Sequence, residues 1–456
     1  MLKSRLSANP FERTVGNLPA VNLYARIWAL SWPLILSNLS VPLLGMVDTA
    51  MLGHLESPVY LGAVALGASF VSLLLASTNF LRMSTTGLSA QAFGRNDQTA
   101  ALNVFRQSTL LALLIGAALL LFSPLLAKFG LALMLDSSVS TSTLWTSAQS
   151  YIGIRLWGAP ATLMNFVIVG WAVGQQNSKL ALISLTTTAL LNITFDGVFI
   201  LALGMHSEGA AIATVLAEYA SLGISCIYLY VRYPWWRNVW RPQATSQKLS
   251  ALLRLNGDFF IRSLCLLGVF AFFNRASAGL GETTLAANAI LMQVVLLQSY
   301  ALDGFANATE ALIGAAAGKK HQHYRPVLKA TAIASLIAAV VLMFLLGICS
   351  PLIAVLFTHH ATVIDAVNYL LPAMIILPLV AVWAYWLDGV AVGFTASRAM
   401  RNSSLICSFA VFLPIWWSTQ AFGNNGLWAS FFAFTLARGV VLASLLFVDR
   451  RQLLAH

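Results

Sequence analysis

The sequence is poor in charge and in cysteine. Charged residues make up 9% of its 456 positions and hydrophobic residues 59%, whereas a soluble globular protein has about 25% charged residues. This scarcity of charge all but excludes a soluble domain. The few cysteines are far apart and lie inside or beside apolar runs, which excludes a disulfide framework and a cysteine-based metal site. The four are Cys226, Cys265, Cys349 and Cys407.

The sequence before residue 27 also lacks the apolar core of about 7–15 residues that a cleavable signal peptide needs. We therefore expect residues 1–26 to form a cytoplasmic tail. The next apolar run is too long for a signal sequence and contains the carboxylate of Asp48, so it is expected to remain as a helix.

Long, continuously apolar stretches fill most of the remaining chain. They are 18 to 32 residues long, as expected for membrane-spanning helices of about 20 residues and not for the alternating strands of about ten residues in membrane β-barrels. The sequence therefore predicts an all-α polytopic membrane protein with twelve transmembrane helices. The predicted spans are 27–53, 59–81, 107–127, 150–174, 180–203, 209–231, 259–280, 285–313, 328–357, 363–394, 403–420 and 426–448.

Lysine and arginine are concentrated in alternate loops. The two tails and the loops that follow even-numbered spans hold 22 of the 26 basic residues, and the opposite loops hold only Lys128 and Arg275. Because basic loops stay on the cytoplasmic side, both termini are predicted to be cytoplasmic. The net charge of +11 is thus explained by topology, and we expect no nucleic-acid partner. The basic regions are 1–26, 82–106, 175–179, 232–262, 314–329, 398–401 and 449–456.

The two halves of the chain resemble each other. Gly94 in GLSAQAFGRND matches Gly318 in ALIGAAAGKKH at an offset of 224, and Pro160 matches Pro378 at an offset of 218. Six spans per half would give repeats of the same orientation, with a cavity between two pseudo-symmetric lobes. The predicted parts are a tail at 1–26, an N-lobe at 27–231, a cytoplasmic inter-lobe loop at 232–258, a C-lobe at 259–448 and a cytoplasmic tail at 449–456.

Polar residues inside the N-lobe spans are the first candidates for a site, because a charged group at the bilayer centre costs about 2.5–3.5 kcal/mol. Asp48 lies in the first span, and Asn192 and Asp196 lie four residues apart on one face of the fifth. Thr214 and Asn165 are candidates to join them. Their oxygens suit a proton or a sodium ion, so the coupling ion stays open, as does a purely structural polar seam.

The C-lobe has carboxylates at Asp303, Glu310 and Asp388, the first two being two helical turns apart. Transport and internal ion pairing are both open for them. The available counter-charges inside or beside the spans are Arg155, Arg275 and Arg438.

Pro33 interrupts the first span and leaves the carbonyl of Ala29 without its usual helical partner. Such a break permits bending at a defined place. We predict a hinge there, although an ordinary membrane-helix proline is the alternative.

Several ordered motifs resemble the multidrug and toxic compound extrusion (MATE) transporters, in particular their DinF branch. The resemblance extends from about residue 24 to residue 450. The motifs are SWPLILSNLSVPLLGMVDTAMLGHL (31–55), FLRMSTTGLSAQAFG (80–94), LLNITFDGVF (190–199), EGAAIATVLAEYA (208–220) and YALDGFANATEA (300–311).

The resemblance implies an antiporter that exports cationic or amphipathic xenobiotics across the bacterial inner membrane in exchange for protons or sodium. It assigns Asp48, Asn192, Asp196 and Thr214 to an ion-coupling and substrate pocket, with sodium as a candidate ligand, and bending of the first helix to Pro33. It also sets Asp388 near a carboxylate of the related NorM branch. The seventh-helix glutamate of that branch has no counterpart between residues 259 and 281, which argues against a C-lobe sodium site.

We expect no cofactor, no enzymatic activity and a monomer among membrane lipids. One alternative is a flippase for lipid-linked precursors, which would line its cavity with several arginines. Another is an intramembrane aspartyl protease, which needs two carboxylates brought together. The second lacks its G-x-G-D motif, since LDG at 387–389 is not preceded by the required glycine.

Overall fold

The computed structural model describes residues 20–53, 58–134, 143–239, 249–319 and 324–453, with side chains described except at 20–22, 40–53, 58, 133, 238, 249 and 449–453. Within these ranges the chain is almost entirely helical and has no strand. The α-helices are α1 (Ala20–Gly53), α2 (Pro58–Ser77), α3 (Phe80–Gly94), α4 (Gln98–Leu121), α5 (Ser123–Met134), α6 (Thr143–Leu156), α7 (Ala159–Gly174), α8 (Ser178–Asp196), α9 (His206–Arg232), α10 (Leu249–Gly279), α11 (Glu282–Gly318), α12 (Tyr324–Phe357), α13 (Ala361–Gly393), α14 (Ser397–Leu405), α15 (Leu413–Thr419) and α16 (Asn424–Leu453).

The predicted all-α membrane protein is confirmed. Ten helical stretches of the described chain are long and apolar enough to cross a membrane, and α6 and α7, bent by 46°, make an eleventh. The 34-residue helix α1 covers the predicted first span, which agrees with the predicted count of twelve. The protein is therefore a multi-pass membrane protein.

Several helices extend beyond the apolar runs that predicted them. The third span, expected at 107–127, is divided between α4 and the short helix α5. Helix α4 begins early because the side chain of Asp97 caps it, accepting a hydrogen bond of 2.9 Å from the backbone N–H of Ala100. A capped polar turn can therefore start a helix well outside the hydrocarbon region.

Helices α3 and α11 meet at the end where both finish. A Cβ atom added to Gly94 would lie 2.0 Å from the carbonyl oxygen of Ala315, and one added to Gly318 would lie 2.1 Å from that of Gln91. The offset of 224 residues between the halves relates Gly94 to Gly318 and Gln91 to Ala315. The two contacts are therefore equivalent by the pseudo-symmetry of the halves. Only glycine permits backbones to approach this closely.

The same pseudo-symmetry relates the next layer of helices. Helix α7 packs on α3 where Gly170 faces the carbonyl of Arg82, and α13 packs on α11 where Gly389 faces the carbonyl of Ala306. In each case an added Cβ would lie 2.5 Å from the carbonyl oxygen. Two six-helix lobes thus have their central helices packed in the same way.

Each half also has a π-helical segment in its fifth span. The first is Gly197–Ala202, directly after α8, and the second is Ile406–Phe412, between α14 and α15. The hydrophobic pattern of the sequence does not predict them, because a one-residue change of helical period leaves a fully apolar run unchanged. Such segments are frequent at functional sites, and the first adjoins Asp196.

The start of the inter-lobe segment packs against the N-lobe. The ring of Trp171 lies 5.3 Å from that of Tyr233 and 5.2 Å from that of Trp236, and Trp236 also contacts Phe105 at 4.2 Å. These aromatic contacts attach residues 233–239 to the helices before the chain continues to the second lobe.

Candidate functional site in the N-terminal lobe

A stripe of polar side chains follows one face of α8. Ser184, Thr188, Asn192 and Asp196 recur at intervals of four residues, so they lie one above the other along the helix. Asn192 and Asp196 are completely buried. Four of the nine polar side chains of α8 thus lie along one line, and we call these four residues the α8 stripe.

Helix α9 presents a matching polar face to the α8 stripe. Asn192 Nδ2 donates a hydrogen bond of 3.0 Å to Thr214 Oγ1, which in turn donates to the carbonyl of Ala210 at 2.9 Å. Further along, Ser221 Oγ donates to the carbonyl of Ser184 at 2.8 Å. Thr214 therefore does join the group around Asn192, as the sequence suggested.

Asp48 lies on α1, but its side chain is outside the described residues. Helix α1 packs against α8 and against the π-helical segment that follows Asp196. The predicted partnership of Asp48 with Asp196 thus involves two neighbouring helices, and its side-chain geometry stays a prediction.

A cavity of about 380 Å³ lies between the two lobes. Ser184 and Thr188 of the α8 stripe line it, whereas Asn192 and Asp196 lie beyond its wall. Its other lining residues come from the N-lobe helices and from α11: Leu34, Asn38, Ala76, Asn79, Arg82, Thr162, Asn165, Phe166, Val169, Val173, Leu185, Glu218, Tyr300, Asp303 and Asn307. The stripe therefore leads from an inter-lobe cavity into the buried interior of the first lobe.

Asn165 lies on this cavity and not in the group around Asn192. Its Nδ2 donates to the backbone carbonyl of Glu218 at 3.2 Å. The Glu218 carboxylate receives two hydrogen bonds from Arg155, of 3.0 and 2.6 Å. Glu218 is not among the residues predicted from sequence, although its position four residues after Thr214 on the apolar helix α9 marks it as a candidate.

Asp388 is held by two arginines in the second lobe. Arg438 Nη2 lies 2.7 Å from Asp388 Oδ2, and Arg262 binds the same oxygen. The side chains of these three residues are 10–15% exposed. This geometry supports ion pairing over transport for Asp388. Of the three arginines expected as counter-charges, Arg438 is the one that pairs with Asp388.

Asp303 and Glu310 have different surroundings although they share a face of α11. Asp303 lines the cavity and has no hydrogen bond or ion pair among the described residues. Glu310 is 3% exposed and lies 3.7 Å from Arg82 Nη1, which also donates to Asn307 Oδ1 at 2.9 Å. Since Arg82 belongs to α3, this group connects the two lobes.

Two arginines that the loop count assigned to the cytoplasm lie in the helix bundle. Arg82 is on α3 and Arg262 on α10, and each faces a carboxylate of α11 or α13. The assignment was wrong because a paired arginine can lie inside a span that hydropathy ends too early. Without these two arginines, the tails and the predicted cytoplasmic loops still hold 20 basic residues and the opposite loops two. The predicted orientation is therefore unaffected.

Helix α1 continues through Pro33, and the carbonyl freed by this proline is not left unpaired as the sequence suggested. Ser178 Oγ, on α8, donates a hydrogen bond of 3.3 Å to the carbonyl of Ala29. On the other side, a Cβ added to Gly304 would lie 3.1 Å from the backbone nitrogen of Ile35. The predicted hinge is therefore packed between both lobes.

Comparison with known proteins agrees with this architecture. The MatE family model matches residues 33–198 and 259–417. DNA damage-inducible protein F of Escherichia coli (strain K12) is 36% identical over 431 residues, which covers 92% of this chain and 91% of that protein. The probable multidrug resistance protein NorM of Acinetobacter baylyi (strain ATCC 33305 / BD413 / ADP1) is 24% identical over 408 residues, covering 86% and 87%.

A solved structure has the same fold. The crystal structure of MATE in the straight conformation superimposes with a TM-score of 0.82 at 19% sequence identity, covering 95% of this chain and 96% of the other. The segments matched by the family model include Pro33, Asp48, Asn192 and Asp196, whereas Thr214 lies between them.

Proposed function

The chain belongs to the MatE family of membrane transporters and is not an enzyme, and on that premise we propose that it is a secondary active antiporter. It exports cationic or amphipathic compounds in exchange for protons, with sodium as the alternative coupling ion. The observation that carries this proposal is the α8 stripe, because it joins an inter-lobe cavity to a buried carboxylate. No cofactor enters the scheme.

The cavity suits a cationic substrate with an apolar part. Its wall includes the apolar side chains of Phe166 and Val169 beside the carboxylates of Asp303 and Glu218. Asp303 has no ion-pair partner in the described chain, so a bound cation would supply the missing counter-charge. Sites of this kind, largely apolar with a few charged groups, accept many compounds of similar charge.

Coupling requires that ion and substrate bind in competition. Asp196 is completely buried, and two desolvated carboxylates close to each other repel when both are ionised. Asp48 and Asp196 are proposed to take up protons from the outer side and to release them when substrate binds from the cytoplasm. Linkage demands that this effect be reciprocal, so protons arriving at the pair weaken the binding of the cation.

Access alternates through the contact between the lobes and through α1. Helices α3 and α11 both line the cavity, and their glycine contacts are proposed to separate in the other conformation. The proposed hinge at Pro33 bends α1 when the pair is protonated and narrows the cavity. Ser178, through its hydrogen bond to Ala29, connects this motion to the helix that bears Asp196.

Efflux of a cationic dye from proteoliposomes tests the proposal. We expect Asp48→Asn to abolish uphill transport driven by a pH gradient, with Asp365→Asn as the matched control, because Asp365 is exposed on α13. An imposed sodium gradient in the same vesicles identifies the coupling ion. Uphill transport at the wild-type rate by Asp48→Asn would refute the scheme.

The flippase alternative is less well supported. A pyrophosphate headgroup calls for several arginines on the cavity wall, but Arg82 is the one arginine among the described lining residues. The carboxylate of Glu310 balances the charge of Arg82, and two further acidic residues, Asp303 and Glu218, line the same cavity. A change in intrinsic tryptophan fluorescence with lipid pyrophosphates and not with cationic dyes would favour the flippase.

The membrane orientation also belongs to the proposal. The excess of basic residues supports cytoplasmic termini in the bacterial inner membrane, and the lobes are proposed to divide at the loop 232–258. We propose a monomer, since each chain contains its own inter-lobe cavity. Reporter fusions at the two termini test the orientation, and periplasmic activity of either fusion would overturn it.

A further inference from the structure

We propose that a groove between α12, α13 and α16 binds an anionic phospholipid. The groove lies in the second lobe and has a volume of about 610 Å³. It shares no lining residue with the inter-lobe cavity. Its lining residues are Tyr324, Arg325, Leu328, Trp386, Leu387, Val390, Phe394, Ala443, Leu446 and Phe447. Nine of these ten side chains are apolar or aromatic and one is a cation.

The groove has the apolar lining of an acyl-chain site. Its interior is formed by Leu328, Val390 and Leu446, and Phe447, at the side of α16, is exposed. Because α12, α13 and α16 are long and apolar enough to cross the membrane, we infer that the open side of the groove adjoins lipid. An apolar groove in that position fits a lipid tail.

Aromatic side chains hold the walls of the groove in place. The ring of Tyr324 packs edge-on against that of Phe394 with centroids 5.7 Å apart. Trp386 Nε1 donates a hydrogen bond of 3.1 Å to Thr331 Oγ1, which orients its indole ring. The groove is therefore built from the side chains of two helices that fix each other, as in a preformed binding site.

A positive charge lies at one end of the groove. Arg325 is exposed in the first turn of α12 and has no ion pair or hydrogen bond among the described residues. Lys329 is exposed one turn further along the same helix. The positive end of the α12 dipole adds to this field. A phosphate group fits here, whereas the positive charge disfavours the cationic compounds proposed as cargo.

The chemistry thus selects an apolar tail with an anionic head. Basic pockets between transmembrane helices on the cytoplasmic side bind such headgroups. The assignment to the inner leaflet rests on the proposed orientation, because α12 begins and α13 and α16 finish at the side predicted to be cytoplasmic. Preference for an anionic over a zwitterionic head does not depend on orientation or on transport.

Native mass spectrometry of the full chain in detergent tests the proposal, with phosphatidylglycerol and phosphatidylethanolamine offered at equal concentration. We expect phosphatidylglycerol to bind about fivefold more tightly, as one basic residue at a lipid headgroup can provide. Arg325→Ala should reduce its binding to the level of phosphatidylethanolamine. Arg254→Ala is the matched control. Arg254 is exposed near the start of α10, on the same predicted cytoplasmic side as Arg325, and it does not line the groove.

A second variant tests the groove itself without changing charge. Ala443→Trp places a large side chain on the α16 wall, and it should lower binding of both lipids while retained dye efflux reports an intact fold. Equal binding of the two lipids by the wild type would overturn the proposal. So would an equal loss in Arg254→Ala and Arg325→Ala, which indicates diffuse attraction, or unchanged lipid binding in Ala443→Trp. Loss of efflux alone, with lipid binding intact, would count against the proposed antiport and not against this site.

Discussion

The two lobes share their backbone packing, but two of their carboxylates, Asp388 and Asp196, have different surroundings. In the second lobe, Asp388 is held by Arg262 and Arg438. In the first, the described residues that accompany Asp196 along the buried part of the α8 stripe are neutral, namely Asn192 with its partner Thr214. The duplicated scaffold thus places one of these carboxylates between two guanidinium groups and the other beside an amide and a hydroxyl.

This difference separates a group that stabilises from a group that can exchange ions. A carboxylate compensated by two guanidinium groups gains little by accepting a proton, because protonation would leave buried positive charge. A carboxylate among hydroxyl and amide groups can exist charged or neutral at smaller cost. Coupling is therefore proposed for Asp196 and a stabilising role for Asp388.

The largest effect on transport is expected from replacing the two carboxylates compared above. Asp196→Asn should reduce pH-driven dye efflux to the background of empty liposomes, because the amide cannot exchange a proton. Asp388→Asn, measured per correctly folded molecule, should keep its coupling to the pH gradient. If Asp388→Asn uncoupled transport and Asp196→Asn did not, the roles of the two lobes would have to be exchanged.

The complementary prediction concerns stability. Asp388→Asn leaves Arg262 and Arg438 without their shared carboxylate, and breaking a buried ion pair costs about 3–5 kcal/mol. We expect a marked fall in the thermal unfolding midpoint in detergent, with a much smaller fall for Asp365→Asn on the exposed surface. Equal midpoints for these two variants would show that the arginine pair contributes no stability.

The packing that the lobes share offers a symmetric test. Gly94→Ala and Gly318→Ala each direct a Cβ at a carbonyl about 2 Å away, and overpacking of this kind costs about 1–3 kcal/mol. Both should destabilise the closed contact of α3 with α11 and slow efflux to a similar extent. Gly223→Ala is the control, since no atom lies within 4 Å of its added Cβ. Clearly unequal effects of the two variants would contradict equivalent roles.

The smallest effect is expected within the N-lobe cluster. Thr214→Val removes the hydroxyl that accepts from Asn192 Nδ2, at a cost of about 1 kcal/mol for a hydrogen bond. Initial rates of pH-driven efflux should fall by roughly fivefold, whereas Thr214→Ser should stay near the wild type. A Thr214→Val rate equal to that of Thr214→Ser would indicate that this hydrogen bond does not support the site.

Much of the architecture follows from hydrophobic pattern alone. A membrane span has to satisfy its backbone hydrogen bonds internally, so long apolar runs specify helices and their number. The matched glycines Gly94 and Gly318 also revealed the repeat before their contact was seen. The spacing of Asn192 and Asp196 is similarly local, because residues four apart on a helix share a face.

Which charges meet was not decided by local pattern. Arg82 and Arg262 read as loop residues and Glu218 passed unnoticed, since their partners Glu310, Asp388 and Arg155 are between 63 and 228 positions away in sequence. Ser178 likewise reaches Ala29 from another helix. The sequence by itself determined the helices, their repeat and the polar face of α8, because these depend on neighbouring residues. Only the tertiary structure decided which carboxylates are neutralised and which face the cavity, because pairing depends on the packing of distant helices.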